Sequence, residues 1–391
     1  MSARRVFLVA AEPSGDAVAA DLIDALRRRA PEVEIAGVGG PEMAARGVAS
    51  LFDVSELSVF GIFDGLKIAK LVHQRAEETA EAAAAFGADA VVLIDSWGFM
   101  LRAAWKLKAR SPDTPRVKYV APQVFASRKG RAKVAAENFT HLLAIHPFDA
   151  PYFEPYGLET RFVGNPALER DLSGDGPGFR ARHGVAPEED LLLILFGSRK
   201  SELSRLFPHF ADAARRLTAE RPGLRLATAL APAIAEQARE MIANEPTLAD
   251  TIIAEIGERR DAYHAADLAL ACSGTVTLEL SRIAVPTIAA YRLGWLAWAA
   301  ARLWLMKAKY ISLTNLAADA PLIPEYVQTA CTGEKLAAAA SALLDDPARR
   351  TALSARLREV TEMMSGQGAA PSDNAAEAIL DIIAQQKTGE A

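Results

Sequence analysis

Residues 191–202, LLLILFGSRKSE, place the strongest constraint on the fold. Five consecutive apolar side chains, 191–195, leave no polar face, so the run reads as a buried strand. It stops at Gly197-Ser198, after which Leu203, Leu206, Phe207 and Phe210 fall on one helical face. A strand, a tight turn of small residues and a helix start follow one another directly. The helix start offers backbone N–H groups and the positive end of its dipole, and Arg199 adds a fork of donors beside it. Such a turn suits a phosphate or pyrophosphate.

The same alternation runs through the whole chain. Residues 5–11, 33–38, 90–94, 117–120, 141–145 and 160–163 read as strands of a first half. Segments 191–195, 224–230, 251–256, 268–271 and 287–290 read as strands of a second. A helix over 14–29 is predicted, with Ser14 as its N-cap and Val18, Leu22, Ile23 and Leu26 turned inward. Strands separated by helices imply parallel, doubly wound sheets, an α/β fold. The chain has 391 residues, enough for two such domains. Residues 171–189 are rich in Gly, Pro and charge and read as a linker. The expected division is therefore a domain over 1–170, the linker, a domain over 190–345 and a helical tail over 346–391.

The formal net charge of −5 gives no basic field to recruit nucleic acid. Cys272 and Cys331, the only cysteines, form no CxxC pair, which suits a reducing cytoplasm. The apolar run near residue 5 is short and leads into Glu12 and Asp16, so it reads as a strand rather than a signal segment. No stretch is long enough to span a bilayer.

Ligands of such sheets bind at the carboxyl ends of strands, and four junctions there carry chemistry. Ala11-Glu12-Pro13-Ser14-Gly15-Asp16 reads equally as an anion-holding turn or a capped βα turn. Asp95, in Ile94-Asp95-Ser96-Trp97-Gly98-Phe99, is a carboxylate at the tip of a buried strand. By pattern alone a helix cap is the simpler reading, and acid–base work in a cleft the sharper one. Gly197-Ser198-Arg199-Lys200-Ser201-Glu202 leans toward phosphate through its two cations. Cys272-Ser273-Gly274-Thr275, with Glu279 one turn into the next helix, suits a pyrophosphate and ribose hydroxyls, because the spacing does not fit a capping box. No Asp-x-Asp or HExxH occurs, so no metal and no cofactor is expected. The greasy segments 60–72 and 293–306 read as core helices or as interfacial contacts with an anionic membrane.

Together these motifs resemble the lipid-A-disaccharide synthase family of GT-B glycosyltransferases. The resemblance runs nearly end to end. It adds Val38-Gly39-Gly40-Pro41, Glu56-Leu57-Ser58-Val59, Gly130-Arg131, Leu278-Glu279, Tyr291-Arg292 and Tyr310-Ile311-Ser312-Leu313-Thr314-Asn315-Leu316 to the four junctions. It implies two Rossmann-like domains facing a cleft. It also implies an inverting transfer from UDP-2,3-diacylglucosamine to the 6-hydroxyl of 2,3-diacylglucosamine 1-phosphate, giving a β-1,6 disaccharide and UDP. Asp95 and Arg199 match the family's essential residues, as base or orienting group and as phosphate ligand. Gly197, Ser198, Ser201, Glu202, Ser273, Gly274, Thr275, Glu279 and Asn315 fall on the UDP-sugar side. Ser14, Gly15 and Asp16 fall on the acceptor side. A cytoplasmic enzyme held peripherally on the inner membrane, and a homodimer, are further expectations of the resemblance.

The chain departs from the family pattern at several points. Asp-Ala-Pro-Asp-Phe-Asn becomes Asp95-Ser96-Trp97-Gly98-Phe99-Met100, and Trp-Ala-Trp-Arg becomes Phe125-Ala126-Ser127-Arg128. Leu-Pro-Gly-Ser-Arg becomes Leu195-Phe196-Gly197-Ser198-Arg199. Val-Gly-His-Pro becomes Val163-Gly164-Asn165-Pro166, and Leu-Pro-Asn becomes Leu313-Thr314-Asn315. Most of these changes flank the acceptor side, so acceptor identity and acyl length are what they bear on. Rival readings are a GT-B transferase with another lipid acceptor, a UDP-sugar 2-epimerase and a non-catalytic binding protein. The Trp-rich 293–306 segment argues against the epimerase, and Asp95 with Arg199 against the binder.

Overall fold

The computed structural model describes residues 4–57, 65–125, 130–294, 298, 309–366 and 368–389. Residues 60–64 and most of 293–306 lie outside them, as do residues 126–128, whereas 65–72 of the first greasy segment begin a Gly65–Phe86 helix. The chain forms two compact units, Met1–Glu169 with Met364–Ala391, and Arg170–Met363.

The first unit holds a six-stranded sheet: β1 (Arg5–Ala10), β2 (Glu34–Val38), β3 (Ala90–Ile94), β4 (Arg116–Tyr119), β5 (His141–Ala144) and β6 (Glu159–Phe162). Its order is β2-β1-β3-β4-β5-β6, and every pair is parallel. Parallel strands need helices on both faces, which is why β1 and β3 are almost purely apolar. On one face Leu22, Ile23 and Leu26 of the Pro13–Arg29 helix pack with Ala375, Ile379 and Ile383 of the Pro371–Gly389 helix. On the other, Ala76 and Ala80 meet Met100, Ala103 and Leu107 of the Trp97–Arg110 helix.

The second unit repeats the plan with β7 (Leu191–Leu195), β8 (Arg225–Thr228), β9 (Ile252–Ile253), β10 (Leu268–Cys272), β11 (Thr287–Tyr291) and β12 (Glu325–Val327). The order is β12-β11-β10-β7-β8-β9, again parallel throughout. Counted within the unit, this is the 3-2-1-4-5-6 order of dinucleotide-binding folds. The Lys200–Glu220 and Gly333–Leu344 helices cover one face through Leu203, Leu206, Phe210, Leu336 and Ala340. The α/β, doubly wound expectation holds in both units.

Some local expectations differ. Segment 171–189 joins the second unit: Asp175 accepts the Gly178 N–H at 2.8 Å and starts a Gly176–Arg182 helix. Phe179 of that helix is buried against Leu191 and Tyr263, an anchor hidden among Gly and Pro. The 346–391 tail divides. Its Pro347–Met364 helix lies in the second unit up to Met363, and its Pro371–Gly389 helix lies in the first. The 251–256 strand shrinks to two residues. β12 carries no run long enough to announce itself. It is a three-residue, half-buried edge whose Glu325 is used in hydrogen bonding.

Candidate active site

In a doubly wound sheet the ligand crevice opens where strand order reverses. In the first unit that point lies between β1 and β3, and the sequence places Ser14-Gly15 after one and Asp95 after the other. The Ser14 hydroxyl donates to Asp95 Oδ2 at 2.8 Å. Ser14 therefore lies inside the Pro13–Arg29 helix and does not cap it; Glu12 holds the N-cap position. A Cβ on Gly15 would stand 3.4 Å from the Ile94 carbonyl oxygen and 3.5 Å from Asp95 Cβ, so Gly15 lets the helix start ride closely over β3.

Asp95 has φ +54° and Ser96 φ +23°, in the left-handed region that L-residues enter at a cost. The Trp97–Arg110 helix begins at Ser96 with no side-chain cap, so the Asp95 carboxylate is not spent on capping. Its Oδ1 has no hydrogen-bond partner among the described residues. A half-buried carboxylate, oriented through one oxygen and open at the other, is suited to accept a proton.

Asp16 stands differently. Its carboxylate is 2% exposed and accepts N–H bonds from Gly40 (2.8 Å), Glu42 (2.8 Å) and Met43 (3.2 Å). It caps the Pro41–Ala45 helix, whose Pro41 supplies no donor, and is not free to face an acceptor. Asp16→Ala strands three backbone donors and is expected to lower unfolding free energy by about 1–3 kcal/mol. A urea midpoint indistinguishable from wild type would remove this role.

Sequence reasoning passed over Lys118. Its ammonium nitrogen lies fully buried at the end of β4 and donates to the carbonyls of Leu93 (3.3 Å), Tyr119 (3.1 Å) and Asp95. Burial holds it down at about 7, with Asp95 and Glu12 pulling upward. The unfolded chain therefore binds the extra proton from about pH 7 up to the ordinary lysine value of 10.5. Wild-type stability relative to Lys118→Met should thus rise with pH across that window, by on the order of 2 kcal/mol between pH 7 and pH 9. Urea unfolding at both pH values tests this, and a constant difference contradicts it. The available signal was a lysine inside an otherwise apolar strand, VKYV.

In the second unit the order reverses between β7 and β10, which bring the Gly197–Glu202 and Ser273–Glu279 turns side by side. Gly197 has φ +99°, and a Cβ there would meet Glu202 Oε2 at 2.6 Å and Cys272 Sγ at 3.1 Å, so only glycine fits. Glu202 is turned inward. Its Oε2 accepts the N–H groups of Ser198 (2.9 Å) and Arg199 (3.2 Å), and its Oε1 accepts from Arg199 Nη1 (2.7 Å). Expected as a substrate ligand, it instead fixes the turn. Arg199 is 75% exposed, and its Nε and Nη2 have no protein acceptor among the described residues. Ser198 and Ser201 are exposed beside it.

Across the crevice, the Thr275–Arg282 helix starts at Gly274 with no side-chain cap, and Gly274 and Thr275 are exposed. Glu279 accepts from Arg259 Nη2 at 3.3 Å. Burial pushes the Cys272 thiol up to about 12, which removes it as a nucleophile. Asn315 is fully buried and committed at both ends. Its Nδ2 donates to the Ile323 carbonyl (2.7 Å) and Glu325 Oε1 (3.0 Å), and its Oδ1 accepts the Ile323 N–H (2.8 Å). It ties the Leu313–Ala318 helix to β12 and has nothing left to offer a donor sugar directly. At the ends of β11 and β12, Arg205, His209, Arg292 and Gln328 line a cavity of about 420 Å³.

The profile described as lipid-A-disaccharide synthetase matches residues 6–379. The lipid-A-disaccharide synthase of Rhodospirillum centenum is 39% identical over 383 residues, covering 97% of this chain and 95% of that protein. That of Pseudomonas aeruginosa is 36% identical, covering 97% and 98%. Solved structures share the fold at low identity. MurG of Acinetobacter baumannii has a TM-score of 0.60 at 13% identity, covering 98% of this chain and 99% of that one. The UDP-GlcNAc 2-epimerase of Neisseria meningitidis, bound to UDP-GlcNAc, has 0.58 at 10%, covering 98% and 100%. These neighbours make the fold GT-B but leave transferase and epimerase undivided. The division comes from relatives more than one-third identical over nearly their whole length, and by them the chain belongs to the lipid-A-disaccharide synthetase family.

Proposed function

We propose that this chain transfers the sugar of UDP-2,3-diacylglucosamine to the 6-hydroxyl of 2,3-diacylglucosamine 1-phosphate, with inversion and release of UDP. Its membership makes it a glycosyltransferase of lipid A biosynthesis. The finer assignment of substrates and roles rests chiefly on one observation. Asp95 stands at the strand reversal of its unit with one carboxylate oxygen oriented by Ser14 and the other without a partner among the described residues. In an inverting displacement such a group takes the acceptor hydroxyl proton as the glycosidic bond forms, while the donor bond to UDP breaks. The leaving diphosphate gains charge, which the uncommitted Nε and Nη2 of Arg199 neutralise, with the exposed Ser198 and Ser201 alongside and Gly197 shaping the turn. Ser273, Gly274 and Thr275 cradle the pyrophosphate at an uncapped helix start, and Glu279 reaches the ribose.

Ser14 and Gly15 serve the acceptor side through Asp95. Glu202, Asn315 and Asp16 support these turns from behind. The substrates carry acyl chains, which favours peripheral attachment to the cytoplasmic face of the inner membrane. No helix among the described residues is long and apolar enough to cross a bilayer. The homodimer expected of the family is read by light scattering on purified protein.

The test is direct incubation with both substrates, with mass spectrometry for the disaccharide 1-phosphate and for UDP. Product formation supports the reading. Bound UDP without product moves it to a transferase with a different lipid acceptor.

A further inference from the structure

The turn that presents Asp95 is strained. Asp95 and Val120, which follow directly on β3 and β4, have φ +54° and +70°. A β-branched valine in that region is a real outlier, so something nearby must hold both backbones there. The group at the centre is Lys118. Its side chain does not leave the sheet for solvent but lies among the strand ends, 1% exposed. The nitrogen has three N–H donors as the ammonium and two as the amine, and three backbone carbonyls lie within hydrogen-bond reach of it: Leu93, Asp95 and Tyr119. The Tyr119 carbonyl also accepts the Asp95 N–H at 3.0 Å, so both ends of the Asp95 residue are tied to β4. Turning the Asp95 carbonyl inward to Lys118 sends its carboxylate the other way, to the Ser14 hydroxyl.

We infer that Lys118 is a positioning residue for the transfer reaction: its buried nitrogen, bonded to the carbonyls of Leu93, Asp95 and Tyr119, holds the left-handed turn that aims the Asp95 carboxylate. The charged groups that act on it are Asp95 and Glu12. Lys118 touches no substrate in this role. Its whole effect on turnover passes through Asp95, which makes the inference separable from ordinary stabilisation. It rests on Asp95 being the base.

A double-mutant cycle tests it. Lys118→Met removes the donors and keeps the apolar stem. Loss of aim at the base is expected to lower kcat by roughly 10- to 100-fold, with KM for both substrates within about 3-fold of wild type. Combined with Asp95→Ala, it should cost no more than about another 2-fold, because the carboxylate it aims is already gone. If the two losses multiply, or if Lys118→Met alone turns over within about 2-fold of wild type, the inference is overturned. Should Lys118→Met fail to fold, Lys118→Gln, which keeps two donors without the charge, enters the same cycle with the same criteria. A wild-type protein that forms no disaccharide defeats the reading of the reaction instead. A working wild type with an indifferent Lys118 variant defeats this inference alone.

Discussion

Asp95→Ala is expected to cut turnover by roughly 10²- to 10⁴-fold while leaving UDP affinity nearly unchanged, the range for removing a positioned general base. Alanine also loses the ease with which aspartate adopts φ +54°, so the comparison needs Asp95→Asn. Asparagine tolerates that backbone, and its amide oxygen still accepts the Ser14 hydroxyl, but it cannot take a proton. Both variants should fall together in steady-state kcat, and calorimetric titration of UDP should give wild-type affinity for each. An active Asp95→Asn would mean that shape rather than basicity matters there. Asp95 would then orient the acceptor instead of deprotonating it.

Arg199→Ala should weaken UDP binding and turnover together. A charge-assisted bond from a guanidinium to a phosphate contributes about 1.5–3 kcal/mol, so UDP affinity should drop roughly 10- to 100-fold. The turn itself should survive, because Glu202 Oε2 holds the Ser198 and Arg199 N–H groups independently of the arginine side chain. Arg199→Lys, which keeps charge but not the fork, should fall between the two. Wild-type UDP affinity in Arg199→Ala would contradict the phosphate role. By contrast, Glu202→Gln tests the scaffold, since it weakens acceptance of those two backbone donors.

The strands of both sheets were legible because a parallel strand covered on both faces must be apolar along its whole length, as 90–94 and 191–195 are. The edge strand β12 was not, since it is three half-buried residues whose composition does not separate it from loop, and β9 was read as 251–256 but covers only Ile252–Ile253. The helix in 171–189 was obscured because Gly and Pro dominate its surroundings, although Phe179 anchors it.

At the candidate site, the sequence identified the turns but not the division of labour within them. Asp16, Glu202 and Asn315 have the same chemistry as a ligand-binding residue, yet each is buried and committed to backbone groups. Asp95 and Arg199 keep open atoms. Ser14 reads locally as a helix cap, but its partner lies 81 residues away.

The sequence alone determined two doubly wound α/β units, the strand ends at which ligands gather, and the family to which the motifs point. These follow from periodicity and from small residues at turns, both properties of neighbours along the chain. Only the tertiary structure decided which polar side chains remain free. A carboxylate, amide or ammonium is claimed by whichever backbone donors or acceptors the folded sheet brings to it. Those groups come from distant strands, as Lys118 shows by bonding to Leu93 and Asp95 across the sheet.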